Sequence, residues 1–224
     1  MEVKISLIMP NLNGAKTIKE AILSAVNNKY HNKELIIIDG KSTDESHNII
    51  QEYAKKYNFI KWINVKDNGI SDAINIGLDE ANGDIIGYLG SDDLLNTETL
   101  FKINATKLVV DFDAIYFDSY TYYTSYNIIQ LRKCPNVAFN RENLIKYGTL
   151  VGLQNIFFSR KIFNKIRYDI NNKYSMDYEI YFRILGGGIL ILFIMSIQQQ
   201  LINLIIILAT KWFVSNYVRR ILFY

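Results

Sequence analysis

Gly83-Asp84-Ile85-Ile86-Gly87-Tyr88-Leu89-Gly90-Ser91-Asp92-Asp93 is the stretch on which the fold turns. A short apolar run stops abruptly at two adjacent carboxylates. Ile85, Ile86, Tyr88 and Leu89 read as a buried strand, which puts Asp92 and Asp93 at its C-terminal end. In open α/β sheets that edge is where ligands bind. Two carboxylates crowded there repel one another unless a cation lies between them. Oxygen-rich sites of this kind suit Mg2+ or Mn2+, ions that commonly hold phosphates. The competing use of such a pair is a polar loop whose Asp caps the next helix, and this stretch alone does not decide between the two.

The pattern repeats along the chain. Residues 5–9 (Ile-Ser-Leu-Ile-Met) read as a buried strand ending at Pro10, then a loop Asn11-Leu12-Asn13-Gly14, then Ile18, Ile22, Ala25 and Val26 at helical spacing. Residues 34–39 form a second apolar strand ending in Asp39. Ser42-Thr43-Asp44-Glu45 has the form of a capping box for the helix that carries Ile49, Ile50, Tyr53, Ala54 and Tyr57. A third strand is predicted over 60–65 and a third helix over 70–81. Helices alternating with fully apolar strands mean a mostly parallel sheet covered on both faces, with right-handed crossovers. Beyond Asp93 the alternation weakens. The pattern predicts a helix over 97–110, a strand over 114–117, a strand or hairpin over 120–133, a strand over 154–159, and helices over 160–166 and 175–185.

The bulk numbers bound the chemistry. A chain of 224 residues, 50% of them hydrophobic, makes one domain, or one domain with an appendage. Its net charge of +3 is too small to argue for a nucleic-acid partner. The single cysteine, Cys134, excludes an internal disulfide framework and a multi-cysteine zinc site. With only His31 and His47 present, acid–base work falls mainly on carboxylates. Glu2 and Lys4 flank a short apolar run, which does not read as a signal peptide.

The first half limits the ligand further. The turn Pro10-Asn11-Leu12-Asn13-Gly14 is not the Gly-x-Gly-x-x-Gly of a dinucleotide site, and no P-loop spacing occurs. What remains is polar groups on strand ends: Asn11 and Asn13, Asp39, and Asp92 with Asp93. Asp39 is able to accept from a base or ribose, and the acidic pair to hold a metal against a diphosphate. A nucleotide diphosphate with a group attached fits that layout.

At this point the residues resemble the family 2 glycosyltransferases, which have the GT-A fold. Residues 5–13 look like the family's opening strand and turn, and 36–44 like its second strand and turn. Residues 67–77 (Asp-Asn-Gly-Ile-Ser-Asp-Ala-Ile-Asn-Ile-Gly) resemble its next motif, and 83–93 its DxD-like metal-binding segment. Gln154-Asn155-Ile156-Phe157-Phe158-Ser159-Arg160 and Met176-Asp177-Tyr178-Glu179 look like its acceptor-side strand and its catalytic helix. The resemblance implies an α/β GT-A domain over 1–185 that transfers a sugar, with inversion, from a nucleotide-diphosphate sugar, foremost a UDP-sugar, to a glycan or lipid-linked acceptor. It implies that Asp39 contacts the base and that Pro10, Asn11 and Asn13 line the nucleotide pocket. Asp72 and Asn75 would approach the ribose, diphosphate or sugar, and Gln154 the acceptor. Asp93 would ligate Mg2+ or Mn2+ with Asp92 beside it, and Asp177 would be the general base. As residues alone, Asp72 and Asp177 also suit early helix positions, Asn75 a polar helix position, and Gln154 a solvated strand position. Leu153, where relatives often have histidine, and Met176, where an acid is frequent, depart from the pattern.

A larger departure begins at Gly186. From Ile184 to Thr210 there is no charged residue, a length that as helix reaches about 40 Å and is enough to span a bilayer. Gln198-Gln199-Gln200 interrupts it. A segment lying in or against the membrane, a single span and a packed tail all stay open for residues 186–224. The expected location is the cytoplasmic side, at the inner face of the cell membrane. The competing function is a relative that binds nucleotide sugar without turnover because its C-terminal part is altered.

Overall fold

The computed structural model describes residues 2–123, 126–187 and 191–194. Its first half alternates strictly: β1 (Ile5–Asn11), α1 (Ile18–Asn27), β2 (Lys33–Asp39), α2 (Ser46–Lys56), β3 (Ile60–Asn64), α3 (Ile70–Glu80), β4 (Ile85–Tyr88) and α4 (Thr99–Val109). Then follow β5 (Ala114–Phe117), β6 (Ser119–Tyr123), β7 (Ile128–Arg132), α5 (Arg141–Tyr147), β8 (Ile156–Ser159), α6 (Met176–Ile184) and β9 (Ile191–Ile194). The central sheet has the order β3-β2-β1-β4-β8-β5-β9. Its β1, β2, β3 and β4 run parallel, as the alternation of strand and helix predicts, while β8 enters antiparallel between β4 and β5.

Side-chain alternation along the strands makes two cores. Ile8, Ile36, Ile38 and Ile86 face α3, α5 and α6, meeting Ala73, Ile74, Leu78, Leu144, Ile180 and Tyr181. Leu7, Met9, Leu35, Ile37 and Ile85 face α1, α2 and α4, meeting Ile18, Ile22, Ile50, Leu100 and Ile103. The result is a three-layer α/β/α fold with both sheet faces covered, as the alternation predicts.

Several local expectations are corrected. The 42–45 segment is not a capping box: the N-cap residue Glu45 makes no side-chain cap bond, and the first turn is held by Asp44, which takes the Ser46 N–H at 3.0 Å. Ser42 is drawn instead toward the strand ends. Gln154 precedes its strand on a 3₁₀ turn, Leu153–Asn155, and 160–166 makes only a 3₁₀ turn, Arg160–Asn164. Helix α5 is capped by Asn140, whose side chain takes the Asn143 N–H at 2.9 Å, and was not among the expected elements. Residues 191–194 pair parallel with β5, so the sheet reaches into the segment expected to be a tail. No helix among the described residues is long and apolar enough to cross a membrane. Of residues 186–224, on which the membrane expectations fall, 188–190 and 195–224 lie outside the described residues.

Candidate active site

The C-terminal ends of β1, β2 and β3 align polar residues. Register sets Asn11 beside Asp39 and Asp39 beside Asn64. Residues paired in this way share a sheet face. Asp39 is fully buried and Asn11 nearly so. The Asn11 Nδ2 donates to Asp39 Oδ1 at 3.0 Å and to Ser42 Oγ at 3.1 Å, and Ser42 Oγ donates to the same Asp39 oxygen at 2.5 Å. Ser42 also accepts the Asn13 N–H at 2.9 Å, while Asn13 Oδ1 takes the Thr43 N–H at 2.9 Å from a backbone at φ 55°. The two turns are thus stitched together around one carboxylate. Pro10 lies one residue before this knot, at the half-buried end of β1. Asp39 Oδ2 and Asn11 Oδ1 are buried without a hydrogen-bond partner among the described residues. His47 Nδ1 lies 3.8 Å from Asp39 Oδ2, its ring edge-on to Trp62. Two orphaned buried acceptors at a sheet's C-terminal edge call for a ligand that donates.

The acidic pair curls over Gly90. Asp93 Oδ2 accepts the Gly90 N–H at 3.2 Å. A Cβ placed on Gly90 would lie 2.6 Å from Asp93 Oδ2 and 2.9 Å from Asp92 Oδ1, so both carboxylates converge on a spot that only glycine leaves open. Burial and then the charge of Asp92 push the Asp93 carboxyl up, opposed by the Gly90 N–H. Crowded, partly desolvated carboxylates of this kind are relieved by a cation. The donor set fits Mg2+ or Mn2+, which take oxygen ligands and complete their shells with water and phosphate. Among the described residues no group of three or more His, Cys, Asp or Glu forms a metal cage, so the protein would supply these two carboxylates and a ligand the rest.

A cleft of about 290 Å³ opens beside them, lined by Ile70, Tyr88, Leu153, Gln154, Lys173, Tyr174, Met176 and Asp177. Asp177, in the first turn of α6, is half-buried and its Oδ1 accepts the Tyr178 N–H at 2.9 Å. Gln154 is exposed and folds back toward Gly152. Tyr88, at the end of β4, lies between this cleft and the acidic pair. Burial, then Asp93 and Asp92, push its phenol up. Tyr168 and Tyr181, both buried, are pushed up by burial first and by the charge of Asp177 last.

The structure brings Asn11, Asn13 and Asp39 together at one edge, Asp92 with Asp93 at the next strand end, and Gln154 with Asp177 in the cleft. Asp72 and Asn75 also bind neighbouring backbone. Asp72 Oδ2 takes the Asn68 N–H and Nδ2, both at 2.9 Å, and so ties down its own loop. Asn75 donates to Tyr168 O at 2.8 Å and accepts the Tyr168 N–H at 2.9 Å, so its amide clamps the backbone beside the cleft. Three residues of the site went unforeseen: Ser42, Tyr88 and Lys173. Lys173 donates to Asn68 O and adds the cleft's one cation among its lining residues. Its position in a loop of no regular pattern gave no signal.

Residues 6–173 match the family model described as Glycosyl transferase family 2. The cholesterol galactosyltransferase of Borreliella burgdorferi is 34% identical over 125 residues, 56% of this chain and 35% of that protein. The crystal structure of S. aureus TarS 1-349 in complex with UDP-GlcNAc superposes with a TM-score of 0.67 at 20% identity, covering 87% of this chain and 59% of that one. The mannosyltransferase from Pyrobaculum calidifontis in complex with GDP-Man and Mn2+ gives 0.67 at 17% identity, covering 88% and 56%. The chain therefore spans about a third of that curated relative's length.

Proposed function

The chain belongs to glycosyl transferase family 2, and from this we propose that it moves a sugar, with inversion, from a nucleotide-diphosphate donor to an acceptor hydroxyl. The observation that carries the proposal is Tyr88, which adjoins the acidic pair of Asp92 and Asp93 and lines the cleft that holds Asp177 and Gln154. A donor's diphosphate at the first and an acceptor at the second would put the anomeric carbon between them, as inversion requires.

The residues divide the work by their chemistry. Asp39 Oδ2 and Asn11 Oδ1 take ring N–H or amino donors of the base, with Pro10 and Asn13 shaping the turn around it. The TarS and mannosyltransferase complexes hold a uridine and a guanosine nucleotide, and a UDP-sugar is the donor we favour. Asp93 and Asp92 would hold Mg2+ or Mn2+, which when bound offsets the charge that grows on a leaving diphosphate. Lys173 adds a positive charge on the cleft side. Asp177 takes the proton from the acceptor hydroxyl, for which hydrogen-bond reach of about 2.6–3.2 Å is needed, and Gln154 orients that acceptor. Asp72 and Asn75 act one step back, holding the 67–72 loop and Tyr168. The relative that acts on cholesterol supports a lipid acceptor, and the acceptor we favour is a lipid or glycan at the inner face of the cell membrane.

The test is nucleotide-diphosphate release from a panel of UDP-, GDP- and TDP-sugars, with Mn2+, Mg2+ or chelator, on the full chain. Metal-dependent release from one donor, lost in both Asp93→Asn and Asp177→Asn, is the expected result. Tight binding of a donor with no turnover in the presence of lipid-linked acceptors would instead assign the chain to nucleotide-sugar binding alone.

A further inference from the structure

Strands β6 and β7 form a two-stranded sheet apart from the central one. Such a hairpin is marginal in water on its own, yet the described residues on either side of its turn expose large apolar groups. Tyr122, Tyr126, Ile128 and Ile129 are 55%, 76%, 54% and 68% exposed. Register puts Tyr122 opposite Ile129 and Tyr123 opposite Ile128, so both faces of this end carry large apolar groups. At the base the chemistry changes. Arg132 and Lys133 are exposed and form no ion pair with a described residue. From Ser119 to Asn140 there is no Asp or Glu. The nearest acid before the hairpin, Asp118, has its Oδ1 on the Cys134 N–H at 2.7 Å.

An apolar, tyrosine-rich end with an unbalanced basic collar is the composition a membrane–water interface selects. The spacing agrees. Along the backbone Arg132 stands about 10 Å from Ile129 at a strand rise of about 3.3 Å per residue, its guanidinium donating to the Tyr123 hydroxyl at 2.5 Å, and interfacial segments bury to about 5–10 Å. We propose that the β6–β7 hairpin docks end-on to an anionic lipid surface, its tyrosines and isoleucines entering the head-group region and Arg132 and Lys133 meeting lipid phosphates. The hairpin base is fixed to the cleft: Asn155, next to Gln154, donates from Nδ2 to Ser119 Oγ at 2.9 Å. Docking would therefore present the cleft to acceptors held in that surface. This last relation rests on the transfer reading, whereas the docking does not.

The docking is read locally, so that any membrane affinity elsewhere in the chain does not enter. The full chain carrying Cys134→Ser and Ile129→Cys is labelled at position 129 with an environment-sensitive fluorophore, and a second version carries the label at Tyr122→Cys. Vesicles of phosphatidylcholine, with and without phosphatidylglycerol, are added in the absence of donor and acceptor. A several-fold, blue-shifted rise at both positions with anionic vesicles is expected, and none from a label at Lys55→Cys on α2. Arg132→Glu with Lys133→Glu should weaken the response at least tenfold, since each cation near an anionic surface is worth roughly fivefold. No rise at 129 and 122 overturns the proposal. So does a signal already apolar without vesicles, which would mean that the chain itself covers the hairpin, or one that grows with protein concentration alone, which would mean that a second copy does.

Discussion

Asp93 carries an electrostatic cost in the free protein that its function would repay on binding. Its carboxyl is raised by burial and by Asp92. A raised carboxyl keeps its proton in the folded state where the unfolded chain has lost it, so stability falls as pH climbs from the ordinary carboxylate range through the raised value. Asp93→Asn removes that loss. Its unfolding midpoint at neutral pH should lie at or above the parent's, each 1 kcal/mol of relief being worth about 2–4 °C in a chain of this size, while the parent closes the gap when the pH is lowered. Calorimetry across pH checks the sign. Ser42 makes the opposite case. Its hydroxyl joins Asp39, Asn11 and the Asn13 N–H, and each such bond is worth about 0.5–1.5 kcal/mol. Ser42→Ala should weaken nucleotide binding roughly tenfold and leave turnover at saturating donor unchanged, a split that titration calorimetry and initial rates resolve. The sequence shows why these two residues differ in legibility. Two adjacent acids after an apolar run announce themselves, whereas Ser42 three positions before Glu45 fits a capping box equally well, and only the third dimension shows that Asp39 draws it away.

Elements of the first half were legible because apolar runs of strand length alternate with helical periodicity, and tertiary contacts agree with both. The second half was less so. Helix α5 has seven residues and exposes Ile145 and Tyr147, so its periodicity was too short and its faces too mixed to stand out. Gln154 was expected in a strand because the apolar run begins beside it; the 3₁₀ turn over Leu153–Asn155 takes it out of the ladder and exposes it at the cleft. Strand β4 depends on one small residue for its fit to β8. A Cβ on Gly87 would lie 2.3 Å from the Phe157 ring. Gly87→Ala should destabilise by roughly 1–3 kcal/mol through overpacking, read from a shifted urea midpoint. Phe157→Leu should restore part of that loss in the double variant, since the strain lies between those two side chains.

For the molecule as a whole, one sheet separates two cores, and strands β1, β2, β3, β4, β5 and β8 each contribute to both. Ile37 and Ile38 are fully buried neighbours facing opposite layers. Ile37→Ala and Ile38→Ala should each cost about 2–5 kcal/mol and leave a single unfolding transition observed by both fluorescence and circular dichroism. Separate transitions would mean that the layers unfold independently. The antiparallel insertion of β8 was beyond the reach of sequence pattern, since nothing in Ile-Phe-Phe-Ser states a direction, and its pairing with β4 is what brings Leu153 and Gln154 beside Tyr88 in the cleft.

That insertion also sets an order in time. During synthesis β4 emerges with β1 on one side and nothing on the other, and β8 follows only after the whole segment from α4 to α5. At about 5–20 residues per second, the open edge of β4 waits several seconds in the growing chain, an apolar strand with unpaired amides and carbonyls of the kind that recruits stray strands.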